Sequence, residues 1–70
     1  MGDEPEAIEL PRSDLLLLRL LAEGLSPDEV ACRMGLSGRT VRRRVRGICD
    51  RLGVATPIQA VVWAVRQEMI

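Results

Sequence analysis

The sequence predicts an all-α domain, a four-helix bundle containing a helix-turn-helix. Three observations predict it. The apolar residues are Leu, Val, Ile, Met and Ala, and Trp63 is the single aromatic residue, whereas strands favour β-branched and aromatic side chains. Helix start signals (Ser26-Pro27-Asp28-Glu29, Ser37, Thr56-Pro57-Ile58-Gln59) alternate with glycine stops at Gly24, Gly35 and Gly53. Between those signals the apolar positions recur at helical spacing.

Taken in order, the first helix is expected over about 13–23. Leu15, Leu16, Leu17, Leu18, Leu20 and Leu21 make it apolar nearly all round, and Gly24 stops it. The second is expected over about 27–34, opened by a capping box with proline at the first helical position. Val30 and Met34 mark its buried stripe, Gly35 ends it, and Leu36 is an apolar plug in the turn. The third is expected over about 38–52 with Ser37 as N-cap. The fourth starts at Thr56-Pro57 and is expected to reach about residue 68. The short connections imply closely packed neighbours.

A chain of 70 residues makes one small domain, which buries only about 60% of its unfolded surface. Residues 1–10 read as an acidic linker or flexible lead with Gly2 and Pro5, and residues 11–70 as the folded domain. Cys32 and Cys49 have no metal-site spacing and there is no His to complete one, so both read as small core residues in a reducing compartment. No cofactor is expected. With no His, no nucleophile–base pair and no phosphate loop, neither is enzyme activity. Residues 1–10 are acidic and lack the apolar run of a signal peptide, and the leucines after Asp14 are interrupted by Arg19. The expectation is a soluble, cytoplasmic protein without a membrane partner.

Net charge is zero, but its distribution is lopsided. Residues 1–14 carry five acids against Arg12, and residues 37–52 carry six arginines against Asp50. An anionic partner responds to that local field rather than to the total. At about 100° per residue, Val41, Val45, Ile48 and Leu52 form one stripe on the third helix. Arg39, Arg42, Arg43 and Arg46 cluster on its far side, and Thr40, Arg44 and Arg51 lie on a flank. A helix braced at a steep angle by its predecessor, with arginines over its N-terminal half, is how a helix-turn-helix presents itself to the major groove. Asp50 faces the same way as Arg43 two turns on, so groove contact is expected to end before it. The scarcity of aromatics argues against single-strand binding.

On these residues the sequence resembles the LuxR/NarL (GerE-type) family of bacterial transcription regulators. The resemblance covers Leu10 to about Ala64. It rests on Leu20-Leu21-Ala22-Glu23-Gly24-Leu25-Ser26, Glu29-Val30-Ala31, Gly35-Leu36-Ser37, Thr40-Val41, Leu52-Gly53-Val54 and Ala60-Val61. It implies that Thr40 contacts a phosphate while Val41 packs inward, and that Arg42, Arg43 and Arg46 reach base edges. Arg44, on the flank, and Arg39, at the helix start, are expected to join Thr40 on phosphates. The sequence departs from the family at the first helix, where Pro11-Arg12-Ser13-Asp14 replaces the usual Thr-Pro-Arg-Glu-like cap and Leu15-Leu16 follow. It also departs at Arg44, where the family often has His.

The function expected is sequence-specific binding of double-stranded DNA as the output domain of a transcription regulator. A sigma-factor fourth region matches as far as the third helix but lacks the helix from Thr56. An interaction module that has lost DNA binding is the reading from another class. RNA polymerase is a further candidate partner. On the fourth helix, Ile58, Val61 and Val65 share one face, expected to lie on the core with Ala64 near its edge. Gln59, Trp63, Arg66 and Ile70 fall on the opposite face and are expected to form a homodimer contact, made on DNA.

Overall fold

The computed structural model describes residues 8–70; the acidic lead, apart from Ile8–Leu10, lies outside the described residues. Four helices follow in order, α1 (Arg12–Ala22), α2 (Pro27–Met34), α3 (Gly38–Leu52) and α4 (Pro57–Arg66). The expected all-α architecture is the one observed.

Local chemistry sets the boundaries. At α2 the Ser26 amide donates to Glu29 Oε1 at 2.7 Å and the Glu29 amide donates to Ser26 Oγ at 3.2 Å. At α4 the Thr56 amide donates to Gln59 Oε1 at 3.0 Å and the Gln59 amide returns to Thr56 Oγ1 at 3.2 Å. Each box satisfies two backbone donors that a helix start otherwise leaves orphaned. Hydrogen bonding to the Ser26 backbone, and then to its side chain, holds the Glu29 carboxyl below its ordinary range. That contribution is present above the unfolded pKa and is lost as the pH falls through the lowered folded value. Helix α1 is the exception: its N-cap is Pro11, which makes no side-chain cap bond, as the degraded motif there leads one to expect.

The helix ends repeat one motif. After α2, Gly35 is left-handed (φ 71°), and the Leu36 amide reaches back to the Ala31 carbonyl at 2.8 Å. After α3, Gly53 does the same (φ 72°), with the Val54 amide on the Cys49 carbonyl at 3.0 Å. In each case the glycine tolerates the left-handed turn and the next residue plugs back onto the core. After α4 the same bond, Met69 amide to Ala64 carbonyl at 2.9 Å, forms around Glu68 at φ 58°. A residue with a Cβ is strained there by about 1 kcal/mol. This turn also ends α4 at Arg66, two residues short of the expected 68.

Gly47 presents the converse misfit. It lies mid-helix in α3, where a Cβ would meet open space, so backbone entropy is lost there without a steric reason within the chain. Glu68→Gly and Gly47→Ala are each expected to raise stability by about 0.5–1 kcal/mol, read as an upward shift of the urea midpoint at unchanged slope. A lower midpoint for either variant would mean that its neighbours need the present residue.

The core is centred where α1, α2 and α3 meet. Leu17, Leu18, Val30 and Val41 are fully buried, and Leu20, Ala31, Val45, Ile48 and Cys49 surround them. Ile8 and Leu10, which the sequence reading assigns to the lead, pack on this core as well. Met34 and Leu52, expected in buried stripes, are half-buried at its margin. Cys49 is a core residue as expected, but Cys32 is exposed. The buried positions of α2 are Val30 and Ala31, and Cys32, one position further round, turns outward.

Helix α4 rests on α1 and α3 without touching α2. Its rotational setting differs from the one expected. The residues at the core are Ala60 and Ala64, both fully buried, whereas Ile58 is 72% exposed and Val65 51% exposed. Val61 is half-buried, and Trp63 is half-buried against the core rather than pointing away from it. The physical reason is closeness of approach. Two alanines one turn apart let the α4 backbone settle onto α1 and α3, while larger β-branched residues at those positions would hold it off. Because α4 is apolar nearly all round, side-chain size rather than hydropathy decides which face goes in.

Candidate nucleic-acid interface

Helix α3 is held by its apolar stripe. Val41, Val45 and Ile48 are buried, and Ser37 caps the helix by accepting from the Thr40 amide at 3.1 Å. α2 and α3 form the most extensive helix pair in the fold, so the orientation of α3 is set by packing on α2 through the Gly35-Leu36-Ser37 turn.

The other side of α3 is solvent. Arg39, Arg42, Arg43 and Arg46 are exposed, as the periodicity requires. Arg44 and Thr40 are half-buried on the flank, and Arg51 is exposed. Asp50 is exposed one turn beyond Arg46. The Thr40 hydroxyl accepts from the Ser37 hydroxyl at 2.9 Å, which leaves its own proton free to donate outward. The structure thus brings Arg39, Arg42, Arg43 and Arg46 together on one face and sets Thr40 and Arg44 beside it.

One residue in this region escaped the sequence reading. Asp28, at the start of α2, accepts from Arg42 Nη2 at 3.1 Å, the one ion pair among the described residues. The pair passes over Gly38, where a Cβ would collide with Asp28 Oδ1 and stand 3.1 Å from Arg42 Nη1. The positions are 14 residues apart on different helices, so no periodicity could have revealed them. A glycine at the first position of α3 was the available signal.

On α4, Gln59 and Arg66 are exposed, while Trp63 and Ile70 are half-buried. The Gln59 side-chain oxygen is occupied by the Ala55 and Thr56 amides. The exposed apolar residues are Ile58, Val62 and Val65, at i, i+4 and i+7 and hence on one stripe. Val62 had gone unnoticed in the sequence. A shallow groove joins Ile58 and Val62 to Trp63 and Arg66.

Among the described residues no group of acidic, Cys or His side chains could hold a metal ion, and no single helix is long and apolar enough to cross a membrane.

Residues 10–64 match the family model described as bacterial regulatory proteins, luxR family. The chain is 35% identical over 54 residues to a bialaphos biosynthetic pathway regulatory protein of Streptomyces hygroscopicus, covering 77% of this chain and 21% of that protein. It is 29% identical over all 70 residues to the transcriptional regulatory protein YdfI of Bacillus subtilis (strain 168), covering 33% of that protein. The chain therefore spans between a fifth and a third of the length of these relatives. With the family matched over most of its length and the helix-turn-helix in place, the chain belongs to the LuxR family of bacterial regulatory proteins and is a DNA-binding domain of that family.

Proposed function

We propose that this domain binds double-stranded DNA sequence-specifically, as the output domain of a transcription regulator, with α3 in the major groove. The observation that carries this reading is the division of α3. Its stripe of Val41, Val45 and Ile48 is locked into the core, and its opposite face presents Arg39, Arg42, Arg43 and Arg46 to solvent. Arg42, Arg43 and Arg46 take the base edges, where an arginine fork matches guanine O6 and N7. Arg39, Thr40 and Arg44 take phosphates at the groove margin. RNA polymerase is a partner of the assembled regulator in this reading, and the cytoplasm its compartment.

Two copies meet through α4. The stripe of Ile58, Val62 and Val65 forms the centre of the contact, with Gln59 and Arg66 beside it and the exposed edge of Trp63 in the adjoining groove, whereas Ile70, expected there from the sequence, packs on the core beside the start of α1. So small a patch supports only a weak interface, and DNA supplies the rest by aligning two recognition helices on half-sites about one helical turn apart.

Selection of bound sequences from a random duplex pool tests both parts. The expected product is a motif of two half-sites, reduced to a single half-site by Val62→Glu with the fold intact by circular dichroism. Recovery of no enriched sequence would refute sequence-specific binding. A paired motif retained by Val62→Glu would refute the α4 contact.

A further inference from the structure

The geometry points to Asp28 as a positioning residue for the groove, one that makes Arg42 select base edges over phosphates. This deepens the DNA-binding reading and rests on it. Three features of the structure converge. Asp28 Oδ1 accepts from Arg42 Nη2 at 3.1 Å. Gly38, lacking a Cβ, leaves the space in which the carboxylate and guanidinium meet. The pair is open to solvent, with Arg42 59% and Asp28 74% exposed, and Arg42 belongs to the face proposed for the groove.

A surface ion pair of this kind contributes little to folding. Its consequence lies in what it leaves of Arg42. A guanidinium has five N–H donors in a rigid plane, and Asp28 engages one of its nitrogens. The remaining donors still match the two neutral acceptors on a guanine edge. The charge, however, is matched by a carboxylate at hydrogen-bond distance. A phosphate approaching Arg42 meets a neutralised pair with its negative end nearby, whereas Arg39, Arg43 and Arg46 remain unpaired cations among the described residues. Asp28 also tethers the arm to the start of α2, so less side-chain freedom remains to be lost on docking. Arg42 thereby becomes a reader of neutral hydrogen-bonding groups in a face that is otherwise attractive to any polyanion.

The test compares the binding of the full chain to its selected duplex and to random duplex, for wild type, Asp28→Asn, Gly38→Ala and Arg42→Ala, with Asp28→Asn also placed in the Arg42→Ala background. Asp28→Asn frees Arg42 for phosphate. The expected result is a selected-to-random affinity ratio lowered about two- to fivefold, the size of one exposed ion pair, and a salt dependence for random duplex steeper by about one phosphate contact. Gly38→Ala displaces the pair without changing any charge, so it is expected to lower the ratio in the same sense. The ratio change from Asp28→Asn is expected to vanish when Arg42 is already alanine. The inference is overturned if the ratio stays at wild type in both Asp28→Asn and Gly38→Ala, or if Asp28→Asn has the same effect with and without Arg42, which is simple removal of a negative charge. A wild-type chain that binds no duplex at any salt would instead refute the DNA-binding reading itself, and this inference with it.

Discussion

Leu17→Ala is expected to remove a large share of the domain's stability and to lower its urea midpoint sharply. Leu17 is fully buried at the meeting point of α1, α2 and α3. Removing a buried leucine side chain costs about 2–5 kcal/mol through lost transfer energy and the cavity left behind. A domain of 70 residues has a total stability of roughly 4–10 kcal/mol, so one such loss takes a large share of it. Leu16 supplies the control on the same helix. It is 45% exposed, and Leu16→Ala is expected to cost less than about 1 kcal/mol. Urea denaturation of the two variants reads the difference directly. Equal midpoints would mean that α1 is rotated from the setting described, with Leu16 in the core.

The second large effect is on DNA. Arg42→Ala, Arg43→Ala and Arg46→Ala are each expected to weaken binding to the selected sequence by about 1–3 kcal/mol, roughly 5- to 150-fold, and to weaken binding to random duplex far less. Arg44→Ala is expected to behave in the opposite way, reducing affinity for both duplexes alike and flattening the salt dependence by about 0.9 in log–log slope. The contrast follows from position: the first three are on the exposed side of α3, and Arg44 is half-buried on its flank. Titration of both duplexes over a range of salt separates the two patterns. If the three outer arginines lose selected and random duplex equally, they contact phosphates and the assignment of the groove face is wrong.

Much of the fold is legible in the sequence because its punctuation is chemical and local. Ser26-Pro27-Asp28-Glu29 and Thr56-Pro57-Ile58-Gln59 leave little choice about where α2 and α4 begin, and Gly35 and Gly53 sit at left-handed turns that few other residues accept. The rotation of α3 is equally legible, because Val41, Val45 and Ile48 alternate with arginines whose charge cannot be buried unpaired. Helix α4 lacks that contrast. Only Gln59 and Arg66 break its apolar circumference; the large residues Ile58, Val61, Val62 and Val65 share one side, yet the deciding feature is the pair of small residues Ala60 and Ala64 on another, which hydropathy ranks below their neighbours. Cys32 went astray because a cysteine suits either environment. The Asp28–Arg42 pair required two helices to be placed before either partner could be recognised.

The unequal burial of the two cysteines gives the chain an internal reporter of its own opening. Cys32 is exposed on α2, while Cys49 lies in the core, where burial, and secondarily the charge of Asp50, pushes its thiol above the ordinary value. An alkylating reagent reacts with thiolate and needs access. Cys32 is therefore modified in the native domain, whereas Cys49 waits for α3 to part from its neighbours. The ratio of the two labelling rates converts directly into the free energy of that opening. If α3 enters the groove as proposed, DNA is expected to slow the clock at Cys49.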